Sequence, residues 1–92
     1  MILSFADKAT QKLADRRHVR QFAGFERVAL RKLAMINAAV QLNDLRVPPG
    51  NRLEALKGDR AGQHSVRIND QYRICFIWKE GDAHNVEICD YH

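Results

Sequence analysis

Residues 64–78 read His-Ser-Val-Arg-Ile-Asn-Asp-Gln-Tyr-Arg-Ile-Cys-Phe-Ile-Trp, and their period is two. Val66 and Ile68 share one side of a strand over 64–68, and Tyr72, Ile74, Phe76 and Trp78 then alternate with Arg73, Cys75 and Ile77. That alternation belongs to extended chain, whose side chains leave on opposite faces at each step. Asn69-Asp70 between the runs predicts a tight turn, since both residue types tolerate positive φ. Downstream, Lys79-Glu80-Gly81-Asp82 predicts another turn and 86–91 a last strand. Upstream, 53–56 is a short strand candidate, set apart by the charged, glycine-bracketed loop 57–62.

Before residue 51 the period is helical. Phe25, Ala29, Leu33, Ile36 and Val40 recur at three- and four-residue steps, which predicts a helix over 25–42. Val28, Met35 and Ala39 widen the stripe, and Arg27, Arg31, Lys32, Asn37 and Gln41 lie mostly away from it. Asn43 and Val47-Pro48-Pro49-Gly50 end the helix, because proline lacks a donor and pushes its predecessor out of helical geometry. A weaker helix over 8–14 follows Asp7 as its cap, and Ile2-Leu3-Ser4-Phe5 reads as a first strand. The order is N-terminal strand, two helices, then three or four antiparallel strands. It predicts an α+β fold in one domain over 1–92, with the helices packed on one face of the sheet.

Composition narrows the function. A chain of 92 residues, 46% hydrophobic and 28% charged, suits a compact globule and excludes disorder or a full dinucleotide-binding domain. Residues 1–52 hold ten basic and four acidic side chains, while 53–92 hold five and seven. That bias fits a polyanionic partner such as nucleic acid, or a solvated basic face. No signal peptide or membrane-crossing apolar run is present, so the expected location is cytoplasmic. Cys75 and Cys89 lie in apolar runs and read as reduced core thiols, with a disulfide between strands left open by spacing alone.

Phosphate-loop, paired-histidine zinc and serine-elbow motifs are absent. What remains near the sheet is a polar set: Glu54, Lys57, Arg60, Arg67, Arg73, Asp90, Tyr91 and His92. Cations, carboxylates and an imidazole suit cleavage of RNA, in which a ribose 2′-OH loses a proton as it attacks phosphorus and the 5′-oxygen gains one. Fixed Lys and Arg side chains stabilise the charge that develops, and enough of them require no metal or other cofactor. Glu54, Asp90 and His92 are the candidate bases, and His92 and Lys57 the candidate acids.

Five stretches resemble one family. They are residues 48–54 (Pro-Pro-Gly-Asn-Arg-Leu-Glu), 56–62 (Leu-Lys-Gly-Asp-Arg-Ala-Gly), 63–69 (Gln-His-Ser-Val-Arg-Ile-Asn), 72–76 (Tyr-Arg-Ile-Cys-Phe) and the terminal Asp90-Tyr91-His92. The chain is similar to the HigB toxins, also called plasmid maintenance killer proteins, of the RelE/ParE superfamily. The resemblance implies a ribosome-dependent endoribonuclease that cuts mRNA in the decoding site of the 70S ribosome. It also implies a helix-turn-helix antitoxin of the HigA type, through which operator DNA is bound indirectly. The family's active-site positions carry over to Lys57, Arg73, Asp90, Tyr91 and His92. Some members have a histidine where this chain has Glu54, and a GraT-like subgroup shares the Leu-Glu form.

Under that resemblance Arg16, Arg17, Arg20, Arg27, Arg31 and Lys32 are expected to anchor the chain on rRNA, with Arg60, His64 and Arg67 adding RNA contacts nearer the sheet. A competing reading is a ParE-like, non-enzymatic inhibitor of DNA gyrase, because a shared fold does not fix function. The polar set of Lys57, Arg73, Asp90 and His92 separates the two, since a pure gyrase binder has no use for it. A plain nucleic-acid-binding module fits less well, as the sheet lacks a base-stacking aromatic motif.

Overall fold

A computed structural model describes residues 1–90; Tyr91 and His92 fall outside the described residues. Helix α1 (Lys8–Ala14) starts where Asp7 accepts the backbone N–H of Thr10, a side-chain cap for an otherwise orphan donor. It ends on Arg16, which takes the left-handed conformation (φ 63°) usually filled by glycine. Helix α2 (Glu26–Ala38) follows a 3-10 turn over Arg20–Phe25. Four strands make one antiparallel sheet in sequential order: β1 (Glu54–Ala55), β2 (His64–Arg67), β3 (Tyr72–Lys79) and β4 (Asp82–Asp90). Among the described residues no helix is long and apolar enough to cross a membrane.

The sheet is two-sided. Val66, Ile74, Phe76, Val86 and Ile88 bury themselves against Leu13, Phe22, Leu33 and Ile36, so both helices cover one face. Phe76, Ile74 and Ile36 are fully buried, and each such side chain stabilises the fold by about 1.5–3 kcal/mol relative to exposure. The opposite face carries a smaller apolar cluster of Leu56, Cys75 and Cys89, with both thiols free.

The N-terminal stretch deviates from the expected strand. It lies beside β4 through two isolated parallel bridges, Ile2 to Ala83 and Phe5 to Val86. Between them β4 carries a bulge: Cys75 pairs with Glu87 but Ile77 with His84. Asn85 absorbs the extra residue at φ 52°, held by Ser4 Oγ accepting its N–H at 2.9 Å. The bulge also explains why β4 starts at Asp82 and not at 86, since one inserted residue breaks the alternation that marks a strand.

The long helix ends four residues early. Ala39 leaves helical geometry (ψ 133°), and the Asp44 carboxylate takes the N–H groups of Val40 and Gln41, each at 3.0 Å. Those two hydrogen bonds hold the Asp44 carboxyl below its usual range. Val40, expected on the buried stripe, is 75% exposed as a result. Lys32 is the converse correction. It stands one turn after Ala29 and one before Ile36, inside the stripe, and is only 7% exposed. Its ammonium donates to Asn51 Oδ1 at 2.5 Å, and burial, with Arg31 adding, draws its pKa down.

Candidate active site

The turn between β2 and β3 sets the register on which the site depends. Neither Asn69 nor Asp70 adopts positive φ. Instead Asn69 Oδ1 accepts the N–H groups of Gln71 and Tyr72, both at 2.8 Å, a side-chain mimic of a backbone turn. The hairpin it closes opposes Arg67 to Arg73 and Ser65 to Cys75. Through the neighbouring strands, Glu54, Ser65, Cys75 and Glu87 form one row across the sheet, and Arg67, Arg73 and Cys89 the next. Both rows lie on the face that the helices leave uncovered.

Arg73 is the best-held cation on that face. Its Nε–H donates to Ser65 Oγ at 2.6 Å, and Nη2 donates to the Arg52 carbonyl at 2.7 Å and the Ser65 carbonyl at 3.5 Å. Glu54 Oε1 stands 3.6 Å from Nη2. The two N–H groups of Nη1 have no partner among the described residues. A guanidinium with one edge fixed and the other uncommitted is set to grip an anion in a defined orientation.

The surroundings are cationic. Arg67 directly opposes Arg73, an arrangement that costs free energy unless counter-charges or a ligand offset it. Asp70, fully exposed, pairs with Arg67. Arg60 donates to Gln63 Oε1 at 3.1 Å and to Glu87 Oε1 at 3.2 Å. Lys57 is exposed between β1 and the Gly58–Arg60 turn, with no partner among the described residues. Beneath them the Cys89 thiol donates to the Glu87 carbonyl at 3.7 Å, and the interaction between the two neighbouring thiols pushes that of Cys89 up and draws that of Cys75 down against its burial.

The structure therefore gathers Glu54, Arg67 and Arg73 on one face, with Lys57 and Arg60 at its border. Asp90 sits next to Cys89, the residue paired with Arg73, but pairs with Tyr72 and so leaves on the alternate side of the strand, where Gln71 donates to it at 3.1 Å. Tyr91 and His92 lie outside the described residues. His64 does not join the set: it shares the helix-side face with Phe76, ring centroids 6.4 Å apart, and its Nδ1 is buried without a hydrogen bond. Arg16, Arg17, Arg20, Arg27 and Arg31 are exposed on the helical layer, across the sheet from Arg73, while Lys32 is spent on Asn51. Ser65 and Glu87 belong to the site without having been singled out from the sequence. Folding the 64–76 hairpin about Asp70 places Ser65 beside Arg73, so that signal was present; Glu87 lay behind the β4 bulge.

Comparison with known proteins adds a lineage to this geometry. Residues 3–92 match the family model described as RelE-like toxin of type II toxin-antitoxin system HigB. Toxin HigB-1 of Vibrio cholerae is 42% identical over 87 residues, covering 92% of this chain and 92% of that protein. Endoribonuclease HigB of Proteus vulgaris is 34% identical over 61 residues, 66% of this chain and 65% of its own. Among solved structures, the heterotetrameric YoeB–YefM toxin–antitoxin complex from Staphylococcus aureus contains a chain of the same fold. It superposes with a TM-score of 0.60 at 18% identity, covering 100% of this chain and 98% of that one. A YafQ variant from E. coli does so at 0.56 and 14% identity, over 98% and 93%.

Proposed function

Because the chain belongs to the HigB family of RelE-like toxins from type II toxin–antitoxin systems, we propose that it is an endoribonuclease that cuts mRNA on the ribosome. The observation that carries this reading is Arg73, fixed by Ser65 and Arg52 with an uncommitted edge on a cationic sheet face. In the proposed reaction the ribose 2′-oxygen bonds to the adjacent phosphorus and the bond to the 5′-oxygen breaks. The products are a 2′,3′-cyclic phosphate and a 5′-hydroxyl. Arg73 Nη1, with Arg67 and Lys57 nearby, stabilises the phosphoryl oxygens as their charge grows. Glu54, which has 51% of its side chain exposed beside Arg73, is the carboxylate within reach to take the 2′ proton. Tyr91 and His92 are proposed to supply the remaining acid–base groups, and not Asp90, which leaves on the other side of β4 from Arg73. No metal or cofactor enters this scheme.

Inducing the toxin and mapping RNA ends tests the proposal. Discrete new 5′-hydroxyl ends within coding regions, lost when initiation is blocked, are the expected result. Growth arrest with intact mRNA and gyrase-linked DNA breaks would overturn it in favour of ParE-like inhibition.

The five exposed arginines of the helical layer are proposed to meet rRNA phosphates in the cytoplasm, and an antitoxin of the HigA type, bound to operator DNA, to cover part of the same surface. If all five engage phosphates, affinity for 70S ribosomes should fall roughly a hundredfold between about 50 and 200 mM salt. Co-sedimentation that ignores salt would remove them from the interface.

A further inference from the structure

The most informative group that the proposed chemistry does not use is a hydroxyl. Ser65 is fully buried in the second strand, on the face opposite the helices. A buried hydroxyl costs free energy unless it is paired, and a small apolar residue would fill the same volume without that cost. Its partner is the Arg73 Nε–H at 2.6 Å, the shortest of the hydrogen bonds that Arg73 makes.

We infer that Ser65 is a positioning residue for Arg73: its hydroxyl, together with the Arg52 carbonyl, fixes the plane of the guanidinium so that Nη1 points out of the sheet toward the reacting phosphate. The inference rests on the reading that Arg73 acts on phosphate. Three physical points support it. Anchoring Nε and Nη2 removes rotation of the guanidinium at the end of a long, rotamer-rich side chain, so the direction of Nη1 is set before substrate arrives. Arg67 directly opposite repels Arg73 and would otherwise swing it aside. Glu54, at 3.6 Å, is poised to capture a guanidinium released from Ser65, and a captured Arg73 is lost to the phosphate.

The Arg52 carbonyl is itself presented by a fixed segment. Arg52 adopts a left-handed conformation (φ 45°) directly after Asn51, whose fully buried amide ties the loop to the long helix through Lys32. Ser65 therefore completes a clamp whose other jaw is held by the body of the protein.

The test uses the intact toxin with programmed 70S ribosomes, alongside ¹H–¹⁵N spectra of the arginine Nε–H groups. Ser65→Ala is expected to lower kcat roughly ten- to thirtyfold with KM unchanged, the loss of one hydrogen bond to a charged group expressed in the transition state. Ser65→Thr, which keeps the hydroxyl, should stay within about threefold of wild type. The Arg73 Nε–H resonance, assigned by its disappearance in Arg73→Lys, should exchange slowly in wild type and Ser65→Thr and rapidly in Ser65→Ala. Unchanged kcat in Ser65→Ala, or Ser65→Thr as impaired as Ser65→Ala, overturns the positioning role while leaving the nuclease reading in place. Full activity of Arg73→Ala overturns the parent reading instead. Should Ser65→Ala fail to fold, an unprotected Arg73 Nε–H in wild type overturns the inference by itself.

Discussion

Arg73→Ala should abolish growth inhibition and lower mRNA cleavage by about three orders of magnitude, the size of effect that follows loss of a preorganised donor to a developing oxyanion. The fold should survive. Arg73 spends its donors on one hydroxyl and two carbonyls at the sheet surface, and its removal also relieves the repulsion from Arg67. The Ser65 hydroxyl loses its partner, so a cooperative melt roughly 5–15 °C below wild type should accompany the loss of activity. Arg73→Lys keeps the charge but has neither the Nε–H nor the planar fork, so it should recover at most about a tenth of the activity. The measurement is cleavage by purified toxin on ribosomes, with growth after induction as a second readout. A toxic Arg73→Ala would remove the centre of the mechanism.

Asn51→Ala should be the most damaging single polar substitution for stability. The Asn51 amide donates to the Leu45 carbonyl at 3.2 Å and the Val47 carbonyl at 3.4 Å, while its oxygen accepts from the Lys32 ammonium at 2.5 Å. Truncation leaves a buried charge and two carbonyls without their partner, for an expected cost of about 3–5 kcal/mol. Against a total stability on the order of 5–10 kcal/mol, that change puts a large share of the chain in the unfolded state at growth temperature. Lys32→Met should cost less, because it removes the charge and leaves only an acceptor unpaired. The double variant should be no worse than Asn51→Ala alone, since the charge stranded by the first change is gone. Urea melts of the three variants check the order; an Asn51→Ala cost below about 1 kcal/mol would show that the pair holds nothing.

Much of the architecture could be read from local pattern. The period of two over 64–78, the helix over 8–14 behind Asp7 and the turn at 79–82 are all present at the places their residues indicate. The last of these turns on Glu80 and Gly81, both at positive φ, as a two-residue hairpin requires. Where the reading slipped, a contact from elsewhere in the chain or a local irregularity had intervened. Val40 carries the right residue type at the right step, but the Asp44 carboxylate binds its N–H after the helix has ended. The 82–85 segment looked irregular because Asn85 bulges, and a bulge is stabilised by the neighbouring Ser4, not by its own sequence.

The candidate site divides in the same way. Arg73 and Glu54 stand out as a cation and a carboxylate within a recognisable family pattern. Ser65 is an ordinary residue until the hairpin register sets its hydroxyl against Nε–H. Periodicity assigns a residue to a face, and in this protein it indicated three or four antiparallel strands with the helices on one side, of which the structure has four. It carries no information about which long side chain ends where: Lys32 looked like a solvent cation, yet its ammonium lies under the 49–51 turn on Asn51. The reach of an arginine or lysine spans several ångströms and many rotamers, so its partner is chosen by the packed molecule and not by its position in the chain.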